Sequence, residues 1–282
     1  MSLTSDYSDG VPTVSFHLTD MSGTVLAERN ADVTFYSAST IKLGVLVAAM
    51  QAVERGELSL DQPVVSTHTF KSGVGANTPF SFDPDDYDEG LPPEGSLTTL
   101  RTVLERMIIV SSNEATNLAI ELVGFPAINA SLAACGATNS FMDRIYGDMD
   151  ALAAGLTHQV TARDLATIMH TVLSGRAAGP ELTAMMMGWL RAQEYPVIGL
   201  EAQALEPGCD WGSKSGWVTG IRHDVAFVAP ASDASATGKA PSEGYILAVC
   251  TRAYSEDDAT EVVRSITAMA HAIVNSKLTQ TL

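Results

Sequence analysis

Apolar and polar residues alternate from Thr13, with Val14, Phe16 and Leu18 on one side and Thr13, Ser15 and His17 on the other. This period of two, followed by Asp20-Met21-Ser22-Gly23 and then Thr24-Val25-Leu26-Ala27, predicts a β-hairpin. The period changes at Ser39. Ile41, Leu43, Val45, Leu46, Val47, Met50 and Val53 recur at helical spacing up to Gly56 without a proline, so little polar face remains and the helix must be buried. Ser39 and Lys42 fall in its predicted first turn. Lys71 to Ser96, rich in Gly, Pro and Asp, predicts loops, with the acidic residues Asp83 to Glu89 at the surface.

Helical spacing then dominates. Thr98 to Ile109 and Glu114 to Val123 are predicted helices, and Thr161 with Asp164 three residues on predicts a capped start for Leu165, Ile168, Met169, Val172 and Leu173, ending at Gly175. A helix from Glu181 to Gln193 follows. Strand character returns at Asp224 to Val228 and Tyr245 to Cys250, joined by a loop from Ala231 to Gly244, and Ala259 to Lys277 is a last amphipathic helix. Strands at both ends around a helical middle predict a two-lobed α/β fold: an antiparallel sheet built from both termini, with an inserted all-helical lobe. The expected organisation is one domain over 1–282, with a sheet lobe of about 10–38 and 205–282, a helical lobe of about 39–204, and the site in the cleft between them.

The chain has 282 residues, 46% hydrophobic and 17% charged, which suits a globular core and excludes a largely disordered chain. A net charge of -17 repels phosphate backbones and anionic lipid surfaces, so nucleic-acid and membrane-surface partners are not expected. No apolar run reaches the roughly 18 residues of a membrane span, and no N-terminal stretch has the pattern of a secretory leader. Cys135, Cys209 and Cys250 lack CxxC spacing, which predicts buried free thiols rather than a disulfide framework or zinc site. Nucleotide-binding glycine patterns and H-E-x-x-H are also missing, so no cofactor and no metal are expected.

The chemistry left is that of hydroxyls beside lysines. Ser39-Thr40-Ile41-Lys42 places an amine at i+3 from a hydroxyl, and a serine is a weak nucleophile until a neighbouring base takes its proton. A lysine can be that base once burial and nearby cations lower its pKa. A capping serine beside a surface lysine would read the same, and chance alone supplies about 0.4 S-x-x-K matches in a chain of this composition. Position distinguishes this one, since it opens a buried helix. Ser111-Ser112-Asn113 lies between two predicted helices, where it can present a hydroxyl and a carboxamide or simply cap the second helix. Lys214-Ser215-Gly216 enters a strand continuing through Trp217 and Val218, where a cation and a hydroxyl on an edge strand suit a carboxylate, or merely end the strand. Lys71-Ser72-Gly73 repeats the triplet in a loop and is assigned no function.

In this order, S-x-x-K, S-x-N and K-S-G resemble the three elements of class A β-lactamases and penicillin-binding proteins. Gly56-Glu57-Leu58-Ser59-Leu60-Asp61 is similar to that family's G-E-L-S-L-D connection, Met107 to Leu118 resembles its M-I-x-x-S-D-N-x-A-x-N-L segment, and Ile221 to Val225 is close to its T-R-N-D-I strand. The resemblance covers nearly the whole chain and implies a serine hydrolase that forms an acyl-enzyme. It implies Ser39 as nucleophile, Lys42 as proton acceptor, Ser111 as proton relay, and Asn113 as a holder of Lys42 and of a substrate amide. It also implies Lys214, Ser215 and Arg222 as carboxylate binders, and the backbone N–H groups of Ser39 and Trp217, next to Gly216, as the oxyanion hole. The implied ligand is a small β-lactam or related amide or ester, the implied protein a monomer, and the implied setting export.

Three departures from the pattern concern turnover. The family continues from the segment resembling Asp143-Arg144 to a glutamate that activates the deacylating water, and here Ile145 and Tyr146 stand there, with Asp148 and Asp150 next. His158 stands in place of an aspartate that pairs with the loop arginine. Ser112 replaces the middle aspartate of S-D-N. The expectation is acylation with doubtful deacylation. The alternatives are a D-alanyl-D-alanine peptidase or small-ester hydrolase, and a protein that captures β-lactams or peptidoglycan fragments without efficient turnover.

Overall fold

The alternating N-terminal segment forms the predicted hairpin, in which Thr13–Asp20 pairs antiparallel with Val25–Arg29. Its other neighbour comes from the far end of the chain: Tyr245–Arg252 lies along Thr13–Asp20 with Leu247 opposite Leu18. Ile221–Ala229 and Asp210–Val218 complete a five-stranded antiparallel sheet whose edge is Asp210–Val218. The structure is a computed structural model and describes residues 3–76, 78–231 and 241–280.

Both faces of this sheet are covered, and Ile221–Ala229 and Tyr245–Arg252 are buried almost throughout. Ala226, Val228, Leu247 and Val249 face Val263, Ala270 and Val274 of the C-terminal helix Glu256–Gln280. Val225, Phe227, Ile246 and Ala248 face the larger core shared with the helices inserted between the hairpin and the returning strands. At the centre of that core runs Lys42–Glu54, buried on nearly every side as its sequence required. At Gly44 a Cβ would stand 2.5 Å from the Leu132 side chain, so a small residue sets how closely this helix approaches Phe125–Cys135.

Several expectations need correction. The helix Phe125–Cys135 was not anticipated: Ile128, Leu132 and Cys135 are among its buried positions, and the residues between are too alanine-rich to sharpen the period. Ile198–Leu205 was missed as well, being only two turns long. The stretch expected to be loops from Lys71 to Ser96 contains the strand Pro79–Ser81, which pairs with Thr69–Lys71, both too short to display alternation. Asp83, Asp85, Asp86 and Glu89 are exposed as expected, but Asp88 turns inward onto the Arg106 guanidinium. The three cysteines are free and buried. Residues 232–240 of the loop expected from Ala231 to Gly244 lie outside the described residues. Among the described residues, no single helix is long and apolar enough to cross a membrane.

Candidate active site

Ser39 does not lie inside the helix, as the hydrophobic period suggested, but in a tight turn leading into it. Thr40 donates to the Ser37 carbonyl through both N–H (3.1 Å) and Oγ1 (2.7 Å), the Lys42 N–H reaches the Ser39 carbonyl at 3.3 Å, and the helix proper starts at Lys42. Ala38, just before Ser39, has φ 45°, a left-handed conformation that costs a non-glycine residue about 1–3 kcal/mol. The Tyr146 hydroxyl donates to its carbonyl at 2.8 Å. The nucleophile candidate therefore follows a backbone position that its surroundings hold in place.

Lys42 is fully buried. Its Nζ lies 2.7 Å from the Ser111 carbonyl, 2.8 Å from Asn113 Oδ1 and 3.4 Å from Ser111 Oγ. The S-x-N triplet divides its work. Ser112 caps the helix Asn113–Val123 by accepting from the Ala115 N–H, while Ser111, at φ 59°, and Asn113 turn toward the lysine. Both readings of the triplet therefore hold, each for a different residue.

The edge strand alternates as a strand must. Lys214, also fully buried, reaches Ser111 Oγ at 3.1 Å, and a Cβ on Gly216 would lie 2.5 Å from the Ser39 nitrogen and 2.8 Å from that of Thr40. Only glycine permits that approach. Ser215, on the alternate face, accepts from Gln193 Nε2 at 3.2 Å, a partner that carried no signal in the sequence. Trp217 is 37% exposed and packs edge-on against Tyr195. Arg222, opposite Trp217 in the ladder, has its guanidinium 5.5 Å from the Trp217 ring centre. It binds Glu256 at 3.0 Å, again a residue the sequence did not point to, and its buried Nε has no hydrogen-bond partner among the described residues. Ser39, Lys42, Ser111, Asn113, Lys214 and Gly216 are thus brought together, and Ser215, Trp217 and Arg222 continue the same strand pair.

Tyr146 is held from its own backbone: its N–H donates to Asn117 Oδ1 at 2.8 Å and its carbonyl accepts from Asn117 Nδ2 at 2.9 Å. Its ring lies with the Lys42 Nζ 4.5 Å from the centroid and packs against His158. Asp148 is otherwise engaged, accepting from Ser72 Oγ, the Gly73 N–H and the Ala151 N–H, so the second K-S-G triplet anchors this loop. Asp150 is exposed. His158 binds the Arg144 carbonyl at 2.9 Å rather than its guanidinium, which instead meets Tyr36 Oη at 3.1 Å.

A profile of the beta-lactamase enzyme family matches residues 3–275. The chain belongs to this family. Among solved structures, a beta-lactamase from Sphaerobacter thermophilus is 27% identical, with a TM-score of 0.73 over 92% of this chain and 90% of that one. PBP-A, also solved as a mutant in an acyl-enzyme complex with penicillin G, is 22% identical with a TM-score of 0.74, covering 94% and 91%. A beta lactamase from Xanthomonas campestris is 23% identical with a TM-score of 0.71, covering 94% and 91%. These matches over nearly the full length establish the mixed α/β fold of class A β-lactamases. No curated protein sequence matches the chain.

The electrostatics of this beta-lactamase family member centre on two buried amines sharing one hydroxyl. Burial holds Lys42 well below the ordinary lysine pKa, the charge of Lys214 adds to this, and Asp88 opposes it. Burial lowers Lys214 to about 7 against the pull of Asp224. Tyr146 moves the opposite way: burial, then Tyr36, push the phenol well above 10, so it stays protonated at neutral pH. Burial and then Arg144 lower His158 to about 3, leaving a neutral imidazole. Such a site can supply a neutral amine as base and a cation for an anion, but Tyr146 supplies no carboxylate.

Proposed function

We propose that the protein is a serine hydrolase that β-lactams acylate at Ser39 and that releases the acyl group slowly. The observation that carries this reading is the convergence of Lys42 and Lys214 on Ser111 Oγ, with Gly216 against the Ser39 nitrogen. Membership of the beta-lactamase enzyme family supports it. In this reading neutral Lys42 takes the Ser39 proton as Oγ attacks the carbonyl carbon of the lactam. The backbone N–H groups of Ser39 and Trp217 receive the negative charge that develops on the carbonyl oxygen. Ser111 then passes a proton from Lys42 to the departing nitrogen, with Lys214 beside it. Asn113 holds Lys42 and the substrate amide, and Lys214, Ser215 and Arg222 take the substrate carboxylate.

Following the intact mass after penicillin is added tests this reading, alongside hydrolysis of a chromogenic cephalosporin, a p-nitrophenyl ester and a D-Ala-D-Ala peptide. A lasting adduct of one penicillin is expected, with slow release. Rapid ester or peptide turnover without a β-lactam adduct would point instead to an esterase or peptidase.

The two amines set a pH dependence. Lys42 accepts a proton only when neutral, so acylation rises as pH climbs through its lowered pKa. Lys214 loses its charge above about 7, so capture of a carboxylate-bearing β-lactam falls on the alkaline side. The second-order acylation constant should be bell-shaped for penicillin and show only the ascending limb for a neutral ester. Identical profiles for the two substrates would remove Lys214 from carboxylate binding.

Arg222 has to exchange Glu256 for the substrate. Glu256 is 73% exposed, and an exposed ion pair contributes only about 0–1 kcal/mol, so a carboxylate bound at several donors can displace it. Hydrogen bonds to charged groups contribute about 1.5–3 kcal/mol. Arg222→Ala is therefore expected to weaken precovalent binding of penicillin by about 10- to 100-fold and that of a neutral ester far less. Equal losses would make Arg222 structural.

A further inference from the structure

The replacement of an expected glutamate by Tyr146 reads in the sequence only as a loss, but the phenol is built into the approach to the nucleophile. Its hydroxyl donates to the Ala38 carbonyl at 2.8 Å, and Ala38 is the left-handed residue that directs the chain into Ser39. Water has little access to that bond, since Ala38 and Tyr146 are both buried. The same ring lies against Lys42 Nζ, and the Ser39 side chain stands beside the phenol oxygen. The backbone of Tyr146 is in turn clamped on both sides by the fully buried Asn117. One rigid side chain thus reaches the peptide before the nucleophile, the nucleophile itself and its proton acceptor.

We propose that Tyr146 is a positioning residue for acylation: its hydroxyl anchors the left-handed Ala38 peptide that aims Ser39, and its ring keeps water from Lys42. The proposal rests on Ser39 as the acylated residue. Two functions are assigned to two parts of one side chain, and substitutions separate them. Tyr146→Phe keeps the ring and removes only the anchor. Tyr146→Leu removes both.

The experiment measures the acylation rate constant and the dissociation constant of the precovalent complex with a chromogenic cephalosporin, across pH, in the whole protein. In Tyr146→Phe the rate constant is expected to fall about 5- to 10-fold, the range of one hydrogen bond, with the dissociation constant and the ascending pH limb unchanged. In Tyr146→Leu the limb should also move to higher pH, because water reaching Lys42 favours its charged form. Ala38→Gly provides the rescue. Glycine adopts positive φ without the Cβ penalty, so Tyr146→Phe should cost less acylation in the Ala38→Gly background than alone.

Three results would overturn the proposal: an unchanged acylation rate in Tyr146→Phe, strictly additive effects with Ala38→Gly, or a pH limb that stays put in Tyr146→Leu. If Tyr146→Phe alone fails to fold, the pH profile of Tyr146→Leu still decides. Failure of the underlying reading looks different, since the unmodified protein would then form no adduct at Ser39.

Discussion

Penicillin is expected to add its full mass to the peptide that carries Ser39, and Ser39→Ala to abolish the adduct. The expectation follows from what surrounds each hydroxyl. Ser111 Oγ lies between two lysine amines, a place that suits a proton relay. Ser39 has its own nitrogen facing the edge strand at Gly216, beside Trp217, whose N–H completes the pair proposed for the oxyanion. Removing the only atom that forms the covalent bond leaves no slower version of the step, so acylation should drop to background. Ser111→Ala should instead slow acylation while leaving the label on Ser39, because a proton relay contributes on the order of 10² to 10⁴-fold. Peptide mapping after a short exposure separates these outcomes. Label found on Ser111, or none with several β-lactam classes, would defeat the assignment of Ser39.

The second large effect is expected from Tyr146→Glu, which should hasten release of the acyl group by about 10²-fold or more while changing acylation less. A phenol with its pKa pushed well above 10 cannot take a proton from water near neutrality, whereas a carboxylate can. The loop already directs this side chain toward Ala38 and Lys42, and Asn117 holds its backbone, so a shorter acid side chain would lie at the nucleophile with space for water beside it. In a chromogenic assay the unmodified protein should show a burst and a slow steady phase, and the variant a faster steady phase. Rapid steady turnover by the unmodified protein would sink the prediction. So would loss of that turnover in Asp148→Asn or Asp150→Asn, although Asp148 already accepts three hydrogen bonds that hold the loop.

Much of the site was legible in the chain because its parts sit on strongly patterned elements. Lys42 announced itself as a charge opening a helix apolar on every side, and the structure buries it completely. Gly216 read as a strand position open to close backbone approach, and the Ser39 nitrogen lies there. Partners reached by a change of direction were not legible: Gln193, Glu256 and Asn117 meet Ser215, Arg222 and Tyr146 across turns whose course no periodicity encodes. Weak periods hid the helices Phe125–Cys135 and Ile198–Leu205 for a related reason, since alanine-rich or very short segments carry little hydrophobic contrast.

By itself the sequence determined the mixed architecture, the pairing of terminal strands around helices, and which hydroxyls and amines could do chemistry, because these depend on local period and on residue type. Tertiary structure alone decided the rest. It placed two lysines from distant segments on one serine hydroxyl, where burial lowers both pKa values and the charge of Lys214 lowers that of Lys42 further. It also turned Tyr146 from a missing acid into a contact with Ala38, Ser39 and Lys42. Desolvation and charge–charge interaction depend on distance in space, and distance in space is set only when the chain has packed.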